Sequence, residues 1–134
     1  MRKDRPPALL WVAATILATF ASGCDCRAVV RPVSDTVDDV RVSVAGSGGL
    51  CGTAVGVGSV EVYRGPSRER IWAASFPGGD RGYPILSELR YGAPPPGFVE
   101  EAKPAPLKPG DELWFQVHGP GFRGEARIVV AAGN

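Results

Sequence analysis

After residue 36 the chain is a succession of short runs in which apolar and polar residues alternate, each closed by Gly or Pro. A period of two puts successive side chains on opposite faces of an extended strand, so this pattern predicts strands with one buried face. Val40, Val42 and Val44 alternate with Arg41 and Ser43, and within residues 55–64 Val60 and Val62 oppose Glu61 and Tyr63. Trp72, Ala74 and Phe76 share one phase of residues 71–76, and Leu89 and Tyr91 share one phase of 85–91. Leu113, Phe115 and Val117 alternate up to His118, and residues 122–132 supply a final run. Gly65-Pro66-Ser67-Arg68-Glu69 reads as a hairpin loop and Gly119-Pro120-Gly121 as a turn. No window sustains the three-and-four spacing of a helix. Six or seven short strands in about 110 residues predict an all-β domain, a small antiparallel two-sheet sandwich rather than a barrel.

Composition pulls the other way, because 18 Gly and 13 Pro in 134 residues approach the content of disordered segments. The alternation between these breakers argues for packing. Without residues 1–23 the chain has 111 residues, enough for one domain that removes roughly 65% of its unfolded surface from water.

The first 23 residues have a different character. Arg2, Lys3 and Arg5, diluted by Asp4, precede an uncharged and mostly apolar run over 8–20, and small residues follow. A helix of about 13 residues is roughly 20 Å long, short of the roughly 30 Å hydrocarbon core of a bilayer. The run therefore reads as an export signal. Ala21 and Gly23 satisfy the small-x-small rule of ordinary cleavage, and processing would cut before Cys24.

Ala21-Ser22-Gly23-Cys24 resembles the lipobox of bacterial lipoproteins, with Ala21 where Leu is commonest. The resemblance implies that the Cys24 thiol is joined to a diacylglycerol, that residues 1–23 are removed, and that palmitate-type chains anchor the mature protein to a bacterial membrane. It implies an exported domain facing the periplasm. One acyl chain binds a membrane only marginally, whereas two or three hold stably. Asp25 resembles the signal that retains some lipoproteins in the inner membrane, and reads equally as a polar tether residue. The expected organisation is a signal peptide at 1–23, the lipidated cysteine and tether at 24–36, and the sandwich at 37–134.

Three cysteines are an odd number for an exported chain, but assigning Cys24 to lipid leaves Cys26 and Cys51. They either pair, closing a 26-residue segment, or stand as two free thiols. A metal site is not expected, since His118 is the single histidine and no second close cysteine pair exists.

A second resemblance covers Leu107-Lys108-Pro109-Gly110-Asp111-Glu112-Leu113-Trp114-Phe115-Gln116-Val117, which is similar to the turn and penultimate strand of fibronectin type III and related immunoglobulin-like domains. Those domains commonly carry a tyrosine where Leu113 or Trp114 stands, so the resemblance does not extend to the tyrosine corner.

Chemistry-bearing motifs are few, and no catalytic residue, cofactor or metal is expected. No GxSxG elbow surrounds a serine, and His118 is out of phase with the apolar residues of its strand. Asp35, Asp38 and Asp39 lack the ligand spacing and glycine of a calcium loop and read as a solvated turn. Gly46-Ser47-Gly48-Gly49-Leu50-Cys51-Gly52 is rich in glycine, but no lysine or helix follows to bind phosphate, and it reads as a flexible loop. Glu100 and Glu101 are adjacent in a proline-rich segment, with nothing to hold them as an acid–base pair.

Arg2, Lys3 and Arg5 account for three of the 15 basic residues and Asp4 for one of the 14 acidic ones, so the mature chain carries 12 against 13. Nucleic acid is excluded as a partner on that balance. The candidate binding element is the connection at 92–110, where Pro94, Pro95 and Pro96 form a stiff stretch ahead of Phe98 and Val99. Phe98 either anchors a partner or folds back to cap the sandwich. The expected function is a lipid-anchored, non-enzymatic binding or accessory domain of the cell envelope, acting through loops or a sheet edge. The alternative is a structural envelope protein, or a periplasmic inhibitor or immunity factor, with one dedicated protein partner.

Overall fold

A computed structural model describes residues 26–133. The signal peptide, Cys24 and Asp25 lie outside the described residues. Eight strands follow one another: β1 (Ala28–Thr36), β2 (Asp39–Gly46), β3 (Ser59–Arg64), β4 (Glu69–Ser75), β5 (Glu88–Arg90), β6 (Val99–Ala102), β7 (Glu112–Gly119) and β8 (Phe122–Val129). They form two antiparallel sheets, one of three strands in the order β1-β2-β5 and one of five in the order β6-β4-β3-β7-β8. The domain is the expected all-β sandwich.

The period-two residues meet between the sheets. Val40, Val42 and Val44 of β2 and Leu89 of β5 line one inner face, while Val60, Val62, Leu113, Phe115, Val117, Ala126 and Ile128 line the other, all buried. Trp72 is fully buried beside them, and its indole Nε1 donates to Glu100 Oε2 at 2.9 Å. No polar or charged residue is buried among the described residues, so apolar area removed from water, at about 25 cal/mol per Å2, is the main stabilising term.

Three expectations need correction. The tether does not extend to residue 36, because Ala28–Thr36 is strand β1 and pairs with β2 from Ala28↔Gly46 to Thr36↔Asp39. Pro32 hides it in the sequence: a proline donates no ladder hydrogen bond, and the strand accommodates it with a register shift between Pro32 and Ser34. The connection at 92–110 is not wholly irregular either. Val99–Ala102 is strand β6, paired with β4 on the outside of the larger sheet. In the other direction, the strand expected over 85–91 shrinks to Glu88–Arg90, with Ile85 making only an isolated bridge to Gly56.

The two lateral sides of the sandwich differ. On one, the start of β1 lies against β8 so closely that a Cβ on Gly124 would fall within 2.9 Å of Ala28 Cβ and nearer still to the Ala28 carbonyl oxygen. At the far end of that side Thr36 and Ala131 bridge in parallel, with Val37 N donating to Ala131 O at 2.9 Å. On the other side no strand of one sheet pairs with the other among the described residues, and Tyr91, directly after β5, donates its hydroxyl to Ala105 O at 2.7 Å in the chain that follows β6. One flank is closed by backbone and the other is left open.

Candidate functional site

The start of β1, the end of β2, the start of β3, the end of β4 and the β7–β8 turn all gather at one pole, as their registers require. Here Cys26 and Cys51 are joined in a disulfide, with Cα atoms 5.6 Å apart. The glycine-rich segment around Cys51 is a short 3-10 turn, Gly49–Cys51, rather than a free loop. Gly48 N donates to Gly52 O at 2.9 Å and Gly46 N to Thr53 O at 2.8 Å, so the loop is closed on itself. Its one large apolar side chain, Leu50, is fully exposed. Flanking glycines offer it no surface to pack against, and that is a signal the sequence contained.

Beside the disulfide lies an open groove of about 820 Å3, lined by Cys26, Arg27, Ala28, Gln116, His118, Phe122, Arg123 and Glu125 together with the turn glycines. Gly121, with φ 75°, turns the chain so that Phe122 and Arg123 face back along the groove. His118 points to the outer face of β7, in register with Ser59 on one side and Arg123 on the other. Among the described residues no carboxylate hydrogen-bonds its imidazole. Glu125 is engaged by Gln116 Nε2 at 2.7 Å and by Arg68 at 3.4 Å. An activated nucleophile needs a base within about 2.6–3.2 Å and a third group to orient that base. The groove presents the guanidiniums of Arg27 and Arg123 together with the Glu125 carboxylate.

The proline segment divides into buried and exposed parts. Phe98 is half-buried and packs on Phe76 with ring centroids 5.6 Å apart, capping the core edge. Its N–H donates to Pro95 O at 3.0 Å, fixing the turn. Pro94, Pro96 and Val99 face solvent, Val99 with 55% of its surface exposed. Glu100 and Glu101 sit on β6 and turn back onto their own sheet: Glu100 accepts from Trp72, and Glu101 accepts from Ser75 Oγ at 2.6 Å.

The acidic cluster disperses. Asp39 is bound by Arg41 Nε at 2.9 Å and lies 3.5 Å from Arg90, and the Arg41 hydrogen bond, together with the charges of both arginines, holds its carboxyl below the usual range. Among the described residues, no three His, Cys, Asp or Glu side chains are placed to hold a metal ion, and no helix is long and apolar enough to cross a membrane.

On the outer face of the larger sheet Trp114 lies next to Tyr63, which takes the face opposite Val60 and Val62 as the alternation predicts. Arg68 covers the Trp114 ring at 4.3 Å and Arg127 approaches at 5.8 Å. Those guanidiniums occupy the ring face that a sugar or base would stack on. Glu112 accepts from Arg127 at 2.9 Å, and this bond depresses its pKa.

Comparison with protein families, with characterised proteins and with solved structures finds no match for this chain. Fold and site together define a class no finer than a small antiparallel β-sandwich with a disulfide-closed pole, a groove lined by Arg27, Arg123 and Glu125 beside it, and edge strands β5 and β6 on one side.

Proposed function

We propose that the protein is a lipid-anchored lipoprotein of the bacterial cell envelope, held by Cys24, whose sandwich is a non-enzymatic binding or accessory domain. The partner is an envelope protein, and the contact is made along β6 and the exposed Pro94 and Pro96 that precede it. The observation that carries this reading is the asymmetry of the larger sheet. Both β6 and β8 end the sheet and carry an exposed valine, Val99 and Val129, but β8 has β1 packed against it and a bridge at Ala131, whereas among the described residues no strand lies beyond β6. Open edges invite strand addition from another chain. The carboxylates that would guard this edge are turned onto Trp72 and Ser75, which weakens the guard.

We read the sandwich as immunoglobulin-like. β1, β2 and β5 follow the order A, B, E, and β8, β7, β3 and β4 follow G, F, C, C′. The departure is β6, added outside β4 after the E-type strand. The tyrosine-corner bond has a counterpart in Tyr91, which reaches forward to Ala105 rather than back from β7.

Cys24→Ser should release the protein from the membrane fraction and abolish palmitate labelling; retention of both ends the anchor reading. A photo-crosslinking residue in place of Val99 should yield one discrete protein adduct in intact cells, absent when the probe replaces Val129 on β8. Equal adducts at both positions would refute the edge assignment.

A further inference from the structure

We propose that the disulfide pole docks directly on an anionic bilayer surface, with Leu50 entering the interface and Arg27 and Arg123 meeting lipid phosphates. This rests on the anchor reading of Cys24. Its first support is covalent reach. Cys26 is two residues from Cys24 and is bonded to Cys51, whose neighbour is Leu50. At about 3.6 Å per residue, the Leu50 Cα lies no more than about 16 Å from the acylated residue. A long polar tether would let the domain turn any face to the membrane. Here β1 begins at Ala28, and a single residue separates the lipid from the clamp. The pole that holds Leu50 is therefore the one brought to the bilayer.

The second support is the chemistry of that pole. Leu50 is fully exposed and Ile85, on the segment bridged to Gly56, is 70% exposed. Large apolar side chains on glycine-rich tips gain nothing from water, whereas the headgroup boundary receives them to a depth of about 5–10 Å. Arg27 and Arg123 line the adjoining groove and are exposed; His118 lines it too, as does Glu125, whose carboxylate is engaged by Gln116 and Arg68. Arg81 is exposed on the neighbouring turn, accompanied by Asp80. Basic side chains around an apolar tip match anionic headgroups, each adding attraction within a Debye length of the surface. The open shape of the groove agrees with a headgroup lying across it rather than a small molecule enclosed by it.

The test uses the full-length mature protein, its acylation verified by mass, in vesicles of phosphatidylethanolamine and phosphatidylglycerol. Leu50→Trp adds a reporter at an exposed position that touches no core residue. Acyl chains brominated near the headgroup should quench the added emission at least about twofold, while wild-type emission from Trp72 and Trp114 changes little. Unquenched emission from an acylated protein overturns the docking and leaves the anchor standing. A protein of unacylated mass overturns the anchor and the docking with it. Equal quenching in vesicles of phosphatidylcholine alone overturns the anionic preference. A photo-crosslinker at position 50 should capture lipid in cells; a protein adduct there, of a partner or of a second copy, assigns the tip to that occupant and refutes membrane docking.

Discussion

Tyr91→Phe tests the open flank of the sandwich, and its outcome can be worked out in advance. The Tyr91 ring meets Trp72 edge-on at 5.7 Å and 69°, and its hydroxyl donates to Ala105 O at 2.7 Å, bridging β5 to the chain that follows β6. Phenylalanine keeps the ring contact and deletes the bond, so the variant should lose about 1–1.5 kcal/mol at neutral pH. Burial pushes the phenol from its ordinary 10.0 to about 12. A pKa raised in the folded state means that the native protein holds the proton more tightly. The stability tied to the neutral phenol is therefore complete below pH 10 and is lost as pH rises towards about 12. One pKa unit corresponds to about 1.4 kcal/mol, so the wild type should lose about 1.4 kcal/mol from this group by about pH 11. The wild-type advantage over Tyr91→Phe should then shrink from about 1 kcal/mol to about zero near pH 11. Urea unfolding of both proteins from pH 7.5 to 11, followed by far-ultraviolet circular dichroism, measures the difference, in which other titrating groups cancel. A difference that stays constant across this range would refute the burial of Tyr91 and the bridge it makes.

Two further outcomes follow from the closed flank and the pole. Replacing Cys26 and Cys51 together by Ser should lower unfolding free energy by about 3.5 kcal/mol on the chain-entropy model for a loop of this length, read from urea midpoints; an unchanged midpoint would mean that the bond is not formed. Gly124→Ala places a methyl group against the Ala28 backbone, forcing β1 away from β8 at a cost of about 1–3 kcal/mol. A thermal midpoint equal to that of the wild type would refute the contact between β1 and β8.

The strands legible in the sequence were those whose alternation survived uninterrupted. β2, β3 and β7 appear within a few residues of their expected places, because one face of each is strictly apolar and a slip of one residue would expose it. β1 and β6 were hidden for different reasons. Pro32 and the register shift break the phase of β1, while β6 carries Glu100 and Glu101 and is apolar on neither side. Edge strands need only one partner and little burial, so hydrophobic period reports them poorly. Trp72 shows a further limit: its alternation was visible, but its hydrogen bond to Glu100 depends on a strand pairing across 28 residues. The candidate site was less legible still. Arg27, His118 and Arg123 come together only because the start of β1 crosses to the β7–β8 turn, and no local pattern encodes that crossing.

In the proposed reading the leader carries more of the function than the domain does, and the sandwich is consistent with that. Every buried side chain among the described residues is apolar, and much of the outer-face charge is matched within the same sheet, as in Arg127 with Glu112 and Arg41 with Asp39 and Glu88. Exposed pairs of this kind contribute little stability. The elements left available are an edge, a proline stretch and a pole. Of these, the pole acquires meaning from the disulfide: if Cys24 carries lipid as we propose, Cys24 alone would attach the protein without orienting it, and Cys26 bonded to Cys51 would turn attachment into orientation. On that proposal, an orientation set at the pole would leave β6 along the flank of the domain, where the proposed envelope partner could add its own strand.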